Sequence, residues 1–361
     1  MELIIAAILI ITIEGFYINN FTKIPLVKRN LIFAFLVFIQ IFLPAAFRHY
    51  SVYNDTLMYV EHFKLIKPTN IFSIDFKHRF EYGYQLLENV IFLYVSKSTV
   101  ALFFVTSFFI QLSYIIFFYR YSTVFWFSIF LYLGFTHYFF TVSAVRQAIA
   151  IAIFNFAFYF LVNKKYFYYL FLIILAAQFH SSAYLLLVLP LFANVHVNKK
   201  NLIIFFLLLL LSYLFLEKLL LVFYTYFSDY GKYYLNEGWI SESKLGTIFI
   251  IITLLIGLII ILKKFDFKNY TVAEKYMLIF YLALLTFWVF SFKISVMARF
   301  TQYFMPVSIV LLTNSCYKIQ NKLYKNYTFA FWIIFLLIQL IIILIYRPEW
   351  FMITPYKFYW Q

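Results

Sequence analysis

The sequence predicts an all-α protein that crosses a membrane many times, and three observations carry that prediction. Of its 361 residues, 65% are hydrophobic and only 12% charged, against about 45–50% apolar and about 25% charged in an ordinary soluble domain. Apolar runs of roughly 17–22 residues recur along the chain, long enough to span a hydrocarbon layer of about 30 Å at about 1.5 Å of rise per helical residue. Basic residues gather in the short connections between those runs, the arrangement that sets orientation in a membrane.

Taken in order, the runs bounded by charge fall at 3–19, 31–47, 98–119, 122–140, 143–162, 166–179, 182–195, 202–223, 246–262, 273–290, 297–315 and 327–346. About twelve spans result. The first lacks a basic leader and a small-residue cleavage site, so it reads as a retained span. If the runs alternate, "TKIPLVKRN", Arg120, the "NKK" at 163–165, "VNKKN", "KKFDFK" and "YKIQNKLYK" share one side, which is the cytoplasm. The segment 48–97, the turn at His180, the loop 224–245, "SFKISVMAR" and the Tyr/Trp-rich tail then face outward. No polar stretch is long enough for a separate soluble domain, so 1–361 reads as a single transmembrane domain with 48–97 as its extracytoplasmic segment.

Within that segment "RFEYGYQLLENVIFLYV" has amphipathic spacing. Phe80, Tyr84, Leu87 and Ile91 fall on one helical face, and Glu81, Gln85 and Glu88 on another. The net charge of +15 sits mostly in the short loops, so topology accounts for it better than nucleic acid does. Cys316 is the only cysteine, which excludes an internal disulfide and a thiolate metal cluster. There is no Walker A loop, Gly-rich dinucleotide turn, H-E-x-x-H or D-x-D pair. ATP-driven transport and zinc hydrolysis are poor readings, and neither a cofactor nor a metal site is expected.

The candidate functional residues are cations at the outer ends of spans. Arg146 and Gln147 head the fifth run, in "VSAVRQAIAIAIFNF". One reading is an arginine snorkelling to headgroups; the other is a ligand contact, because intramembrane charge usually faces a polar cavity with a partner. Company favours the second. The eleventh run opens "SVMARFTQYFMP", where Ser295, Arg299, Gln302 and Pro306 share a helical face. The second run exits through Arg48 and His49. Cations on the outward side run against the positive-inside rule and point to an anionic ligand. A planar guanidinium that stays ionised suits phosphate oxygens, so a lipid-linked pyrophosphate at headgroup depth fits Arg48, Arg146, Gln147, Arg299 and Gln302. Asp55, Glu81 and His180 lie on the same side and are candidates to take a proton from a sugar hydroxyl. A solvated loop or an ion pair is the competing reading for Asp55 and Glu81, and an ordinary membrane-edge turn for His180.

Four segments in order, "RHYSVYNDTLMYVEHF", "FEYGYQLLENVI", "VRQAIAIAIFNFAFYFLVNKKYFYYLFLIILAAQFHSSAYLLLVLPLF" and "SVMARFTQYFMP", resemble the EpsG family. Its members resemble Wzy-type polymerases of O-antigen, the polymer of lipopolysaccharide, and of other surface polysaccharides. The R-Q-A-I-A with F-H-S-S about thirty residues later is the most specific piece. The resemblance implies a GT-C-like helical fold and a polymerase in the bacterial cytoplasmic membrane. Such an enzyme joins repeat units carried on undecaprenyl pyrophosphate at the outer leaflet, among membrane lipid and with a chain-length regulator as possible partner. It carries over Arg146, Gln147, His180 and Arg299, and less directly Asp55 and Glu81. Two alternatives remain open at this point, a lipid-linked oligosaccharide flippase and a ligase or other glycosyltransferase using the same carrier.

Overall fold

The structure is a computed structural model, and it describes residues 2–21, 23–76, 79–226 and 244–361. Among them every regular element is helical, and the one β-type contact is an isolated antiparallel bridge between Arg48 and Phe358. Each of the twelve apolar runs becomes a helical element. Among the described residues seven helices are long and apolar enough to cross a membrane, and a bent pair makes an eighth. The protein is a polytopic membrane protein. The remaining runs form shorter or more polar helices, so length and apolarity alone support up to eight crossings where the run pattern suggested about twelve. Most of the outward loop expected at 224–245 lies outside the described residues.

The helices gather into two compact units, Met1–Pro190 with Gln320–Gln361, and Leu191–Ile319. The first unit contains α1 (Glu2–Phe21), α2 (Leu26–Ala46), α3 (Thr56–Leu65), α4 (Tyr82–Tyr94), α5 (Thr99–Tyr121), α6 (Phe125–Gly134), α7 (His137–Ser143), α8 (Val145–Val162) and α9 (Tyr166–Ala177). A 3₁₀ segment begins at Ser181, where an α-helix was expected from 182. At its centre α5 packs on α2 and α8, α8 on α9, and α1 on α2 and α6.

The fourth run is where the helix pattern breaks. Instead of one span over 122–140, α6 and α7 meet at 65°. Thr136 between them takes a left-handed backbone with φ of 60°, a conformation that ends a right-handed helix. A buried polar network holds the bend. Tyr114 Oη lies 2.8 Å from His137 Nε2, and Tyr132 Oη donates to Gln111 Oε1 at 3.0 Å and lies 2.8 Å from Thr141 Oγ1. Polar groups at membrane depth need such partners, since lipid offers none.

The second unit is simpler: α10 (Lys199–Tyr226), α11 (Lys244–Lys264), α12 (Val272–Ser291) and α13 (Met297–Tyr317). α12 lies along α13, and α11 packs against both. Thr271 and Glu274 close a reciprocal capping box at the start of α12, satisfying backbone N–H groups that the first turn leaves open. Helix α14 (Lys322–Tyr346), capped by Asn321, belongs to the first unit and packs on α6.

In α4 members of both faces read from the sequence turn inward: Gln85 and Glu88 are buried along with Tyr84 and Ile91, and so is Asn89. Their polar atoms are matched from within: Gln85 donates to the carbonyls of Asp75 and Phe80, and Asn89 to those of Ile71 and Ser73. The helix clamps its own preceding loop.

Candidate functional site

Three segments far apart in sequence meet at Glu81. This residue caps the start of α4 in extended backbone, and its neighbour Phe80 is buried. Two residues on, the Gly83 N–H donates to the Gln178 carbonyl at 2.9 Å. A Cβ at Gly83 would sit 2.8 Å from both the Gln178 carbonyl oxygen and its Cβ, closer than real contacts come. Glycine therefore lets α4 dock directly on the turn that follows α9, and this brings the Glu81 carboxylate to His180.

The carboxylate is filled on both oxygens. Oε2 accepts from Arg146 Nη1, while Oε1 lies 3.1 Å from His180 Nδ1 and accepts from the Ser181 N–H at 3.1 Å. Arg146 is the second residue of α8, set there by the bend that ends α7. Its guanidinium lies over the Phe80 ring, 4.4 Å from the centre, and its backbone N–H reaches Tyr59 Oη at 3.5 Å. The side chains of Glu81 and Arg146 are each 17% exposed and that of His180 22%: enclosed, yet reachable.

Burial alone would raise the Glu81 carboxyl. The hydrogen bond from His180, the charges of Arg146 and His180 and the Ser181 N–H outweigh it and hold the group at about 2. Glu81 is thus a fixed anion. It holds two cationic or proton-donating side chains side by side.

The other candidates from the sequence are each placed within their own unit. Gln147 is buried in α8, about 100° round the helix from Arg146. Asp55 is half-buried at the N-terminal boundary of α3. Arg48 is enclosed: it donates to the Ala45 carbonyl and, from Nε, to Thr56 Oγ1 at 3.2 Å, and it lies 3.8 Å over the Phe103 ring. Arg299 and Gln302 belong to the second unit, Arg299 exposed and Gln302 half-buried at the start of α13.

A family model matches residues 31–358, almost the whole chain. The chain belongs to the EpsG family. This is a family of Wzy-like polymerases, so an EpsG-family membrane protein is in general polysaccharide-polymerase-like. Comparison with curated proteins and with solved structures returned no match.

Sequence reasoning passed over His62 and took Phe80 and Glu88 only as members of two helix faces. His62 Nδ1 is 2.8 Å from Glu88 Oε2, and the His62 ring meets Phe80 edge-on at 4.5 Å. The available signal was the stripe Gln85, Glu88, Asn89 at i, i+3, i+4. Two amides flanking an acid on one helix face suit an inward-facing network as well as a wet surface.

Proposed function

We propose that this EpsG-family protein is a polymerase that transfers a growing glycan from undecaprenyl pyrophosphate to a lipid-linked repeat unit, at the outer face of the bacterial cytoplasmic membrane. The observation that carries the reading is the convergence of Arg146 and His180 on Glu81 at a partly exposed site.

Two features make that cluster suitable for a diphosphate. Arg146 spends Nη1 on Glu81 while its side chain stays 17% exposed, so the guanidinium fork has further donors to offer a phosphate oxygen. His180 contacts Glu81 through Nδ1, which sets its other ring nitrogen to face a ligand. The N-terminus of α8 beside Arg146 adds partial positive charge. As the bond from the anomeric carbon to the diphosphate breaks, negative charge gathers on the leaving oxygens, and preplaced donors stabilise it. Glu81 keeps both donors aimed. It is a poor proton acceptor, being ionised and fully hydrogen-bonded.

Losing one such donor costs about 10²–10³ in rate, about 2.7–4 kcal/mol. Arg146→Ala and, separately, Arg299→Ala are expected to reach the membrane at wild-type level while surface polysaccharide shortens to a single repeat unit, read by gel sizing. Long chains from both variants would overturn the reading.

A further inference from the structure

A second polar hollow lies between the end of α3, the loop 66–75 and α4. Its volume is about 370 Å³, within the range of about 300–1,000 Å³ usual for small-ligand clefts. Gln85 and Asn89 form the wall and are committed to holding the loop. The ionisable lining is His62, Lys67, Asp75 and Glu88.

Glu88 is the unusual member. Its side chain is 0% exposed, and its contact at 2.8 Å is the imidazole of His62, itself 16% exposed. Burying a carboxylate is costly unless it is matched, so a fold that keeps one beside a histidine in an open hollow invites a chemical explanation. Burial pushes the Glu88 carboxyl up, against the pull of His62.

We propose that this hollow seats the acceptor saccharide and that the His62–Glu88 pair takes the proton from its attacking hydroxyl. The proposal rests on the polymerase reading and supplies what the Glu81 cluster lacks. Two carboxylates, one lysine and polar walls suit a ligand rich in hydroxyls and repel a polyanion, so the diphosphate belongs on the Arg146 side. Position agrees. Arg146 and His62 touch the same Phe80 ring, 4.4 Å and 4.5 Å from its centre, so their separation cannot exceed the sum of those distances.

The step balances as a substitution at the anomeric carbon. The hydroxyl oxygen of the acceptor forms the new glycosidic bond, and the bond to the diphosphate oxygen breaks with its electron pair leaving on the diphosphate. The hydroxyl proton goes to the His62 imidazole, and the Glu88 carboxylate 2.8 Å from its Nδ1 offsets the charge that forms there. The charged or titratable groups around the pair are Tyr84 on α4, Lys67 and Asp75 from the loop, and Arg146 over the Phe80 ring.

The test uses the purified full-length protein in detergent, the producing cell's own lipid-linked repeat units as substrate, and product sizing. His62→Gln is expected to slow elongation by about 10²–10⁴-fold at unchanged melting temperature. Glu88→Gln, which keeps shape but cannot offset charge on the imidazole, is expected to lower kcat by about 10-fold or more with KM for the lipid-linked repeat unit unchanged. A merely structural pair would leave kcat in place at equal melting temperature. For the seat, the probe is one-repeat oligosaccharide released by mild acid from the cell's own polysaccharide, and Asp75→Ala is expected to weaken its binding at least several-fold. Wild-type elongation by His62→Gln, an unchanged kcat in Glu88→Gln, or unchanged oligosaccharide binding by Asp75→Ala overturns the inference. If Arg146→Ala still abolishes elongation in the same assay, the polymerase reading survives that failure; if Arg146→Ala elongates normally, both fall.

Discussion

Arg48 and Arg146 look alike in the sequence, each a cation at the outer end of an apolar run, and the fold treats them oppositely. Arg48 is 2% exposed. It is closed in by Phe103 and by the segment 347–361, whose backbone pairs with residues 47–49 through Lys357 and Tyr359, while Tyr356 Oη donates to the Pro44 carbonyl at 2.5 Å. Burial pulls its guanidinium down to about 10, against the opposing influence of Tyr356 and Tyr53, so it remains a cation at neutral pH. Arg146 keeps an opening and meets a carboxylate. An arginine sealed among backbone carbonyls and rings organises structure; one that shares a carboxylate and stays 17% exposed can be reached by a ligand. Their position in the sequence could not separate these roles, because the enclosing pieces come from residues some 300 positions away.

The largest effect that breaks the comparison is Arg48→Ala. It removes two hydrogen bonds from a buried charged group and leaves a cavity, a loss on the order of 3 kcal/mol. Membrane abundance and the detergent melt should collapse with it, whereas Arg146→Ala should lose chain length alone. Equal abundance of the two variants would erase the distinction. Next comes Gly83→Ala, where the new methyl meets the Gln178 backbone, which cannot swing aside. About 1–3 kcal/mol of overpacking is expected, with the docking of α4 on the α9 turn loosened, read as faster hydrogen exchange over 81–94. The smallest effect is a difference in sign between two acids. Glu81 is held at about 2, below its ordinary 4.5, so it adds stability above pH 4.5 that is lost as pH falls toward 2. Glu88 is raised, so its charge opposes folding once pH climbs past the ordinary carboxylate value. Melts at pH 7 should therefore fall for Glu81→Gln and hold or rise for Glu88→Gln; a shared direction would refute this assignment.

Much of the helical layout was legible, because an apolar run long enough for a membrane has to satisfy its backbone by itself and becomes a helix. The exceptions have local causes that pattern does not encode. At Thr136 a left-handed residue splits a run that reads as continuous, and in α4 the polar face turns inward because its amides find loop carbonyls. The site was legible as an inventory rather than as pairings. Arg146, Glu81 and His180 were all named from sequence, yet Glu81 meets partners 65 and 99 residues away, and nothing local chooses it over Asp55. His62 stayed hidden for the same reason, since its significance depends on Glu88 lying opposite.

Phe80 gives these two clusters their particular relation. Its ring lies under the guanidinium and against the imidazole, and benzene carbon has neither a labile hydrogen to give nor a lone pair to receive one. The ring is therefore a shared footing and no relay: it helps position both side chains and takes no part in their hydrogen bonds, so a change at Phe80 would be felt by both at once.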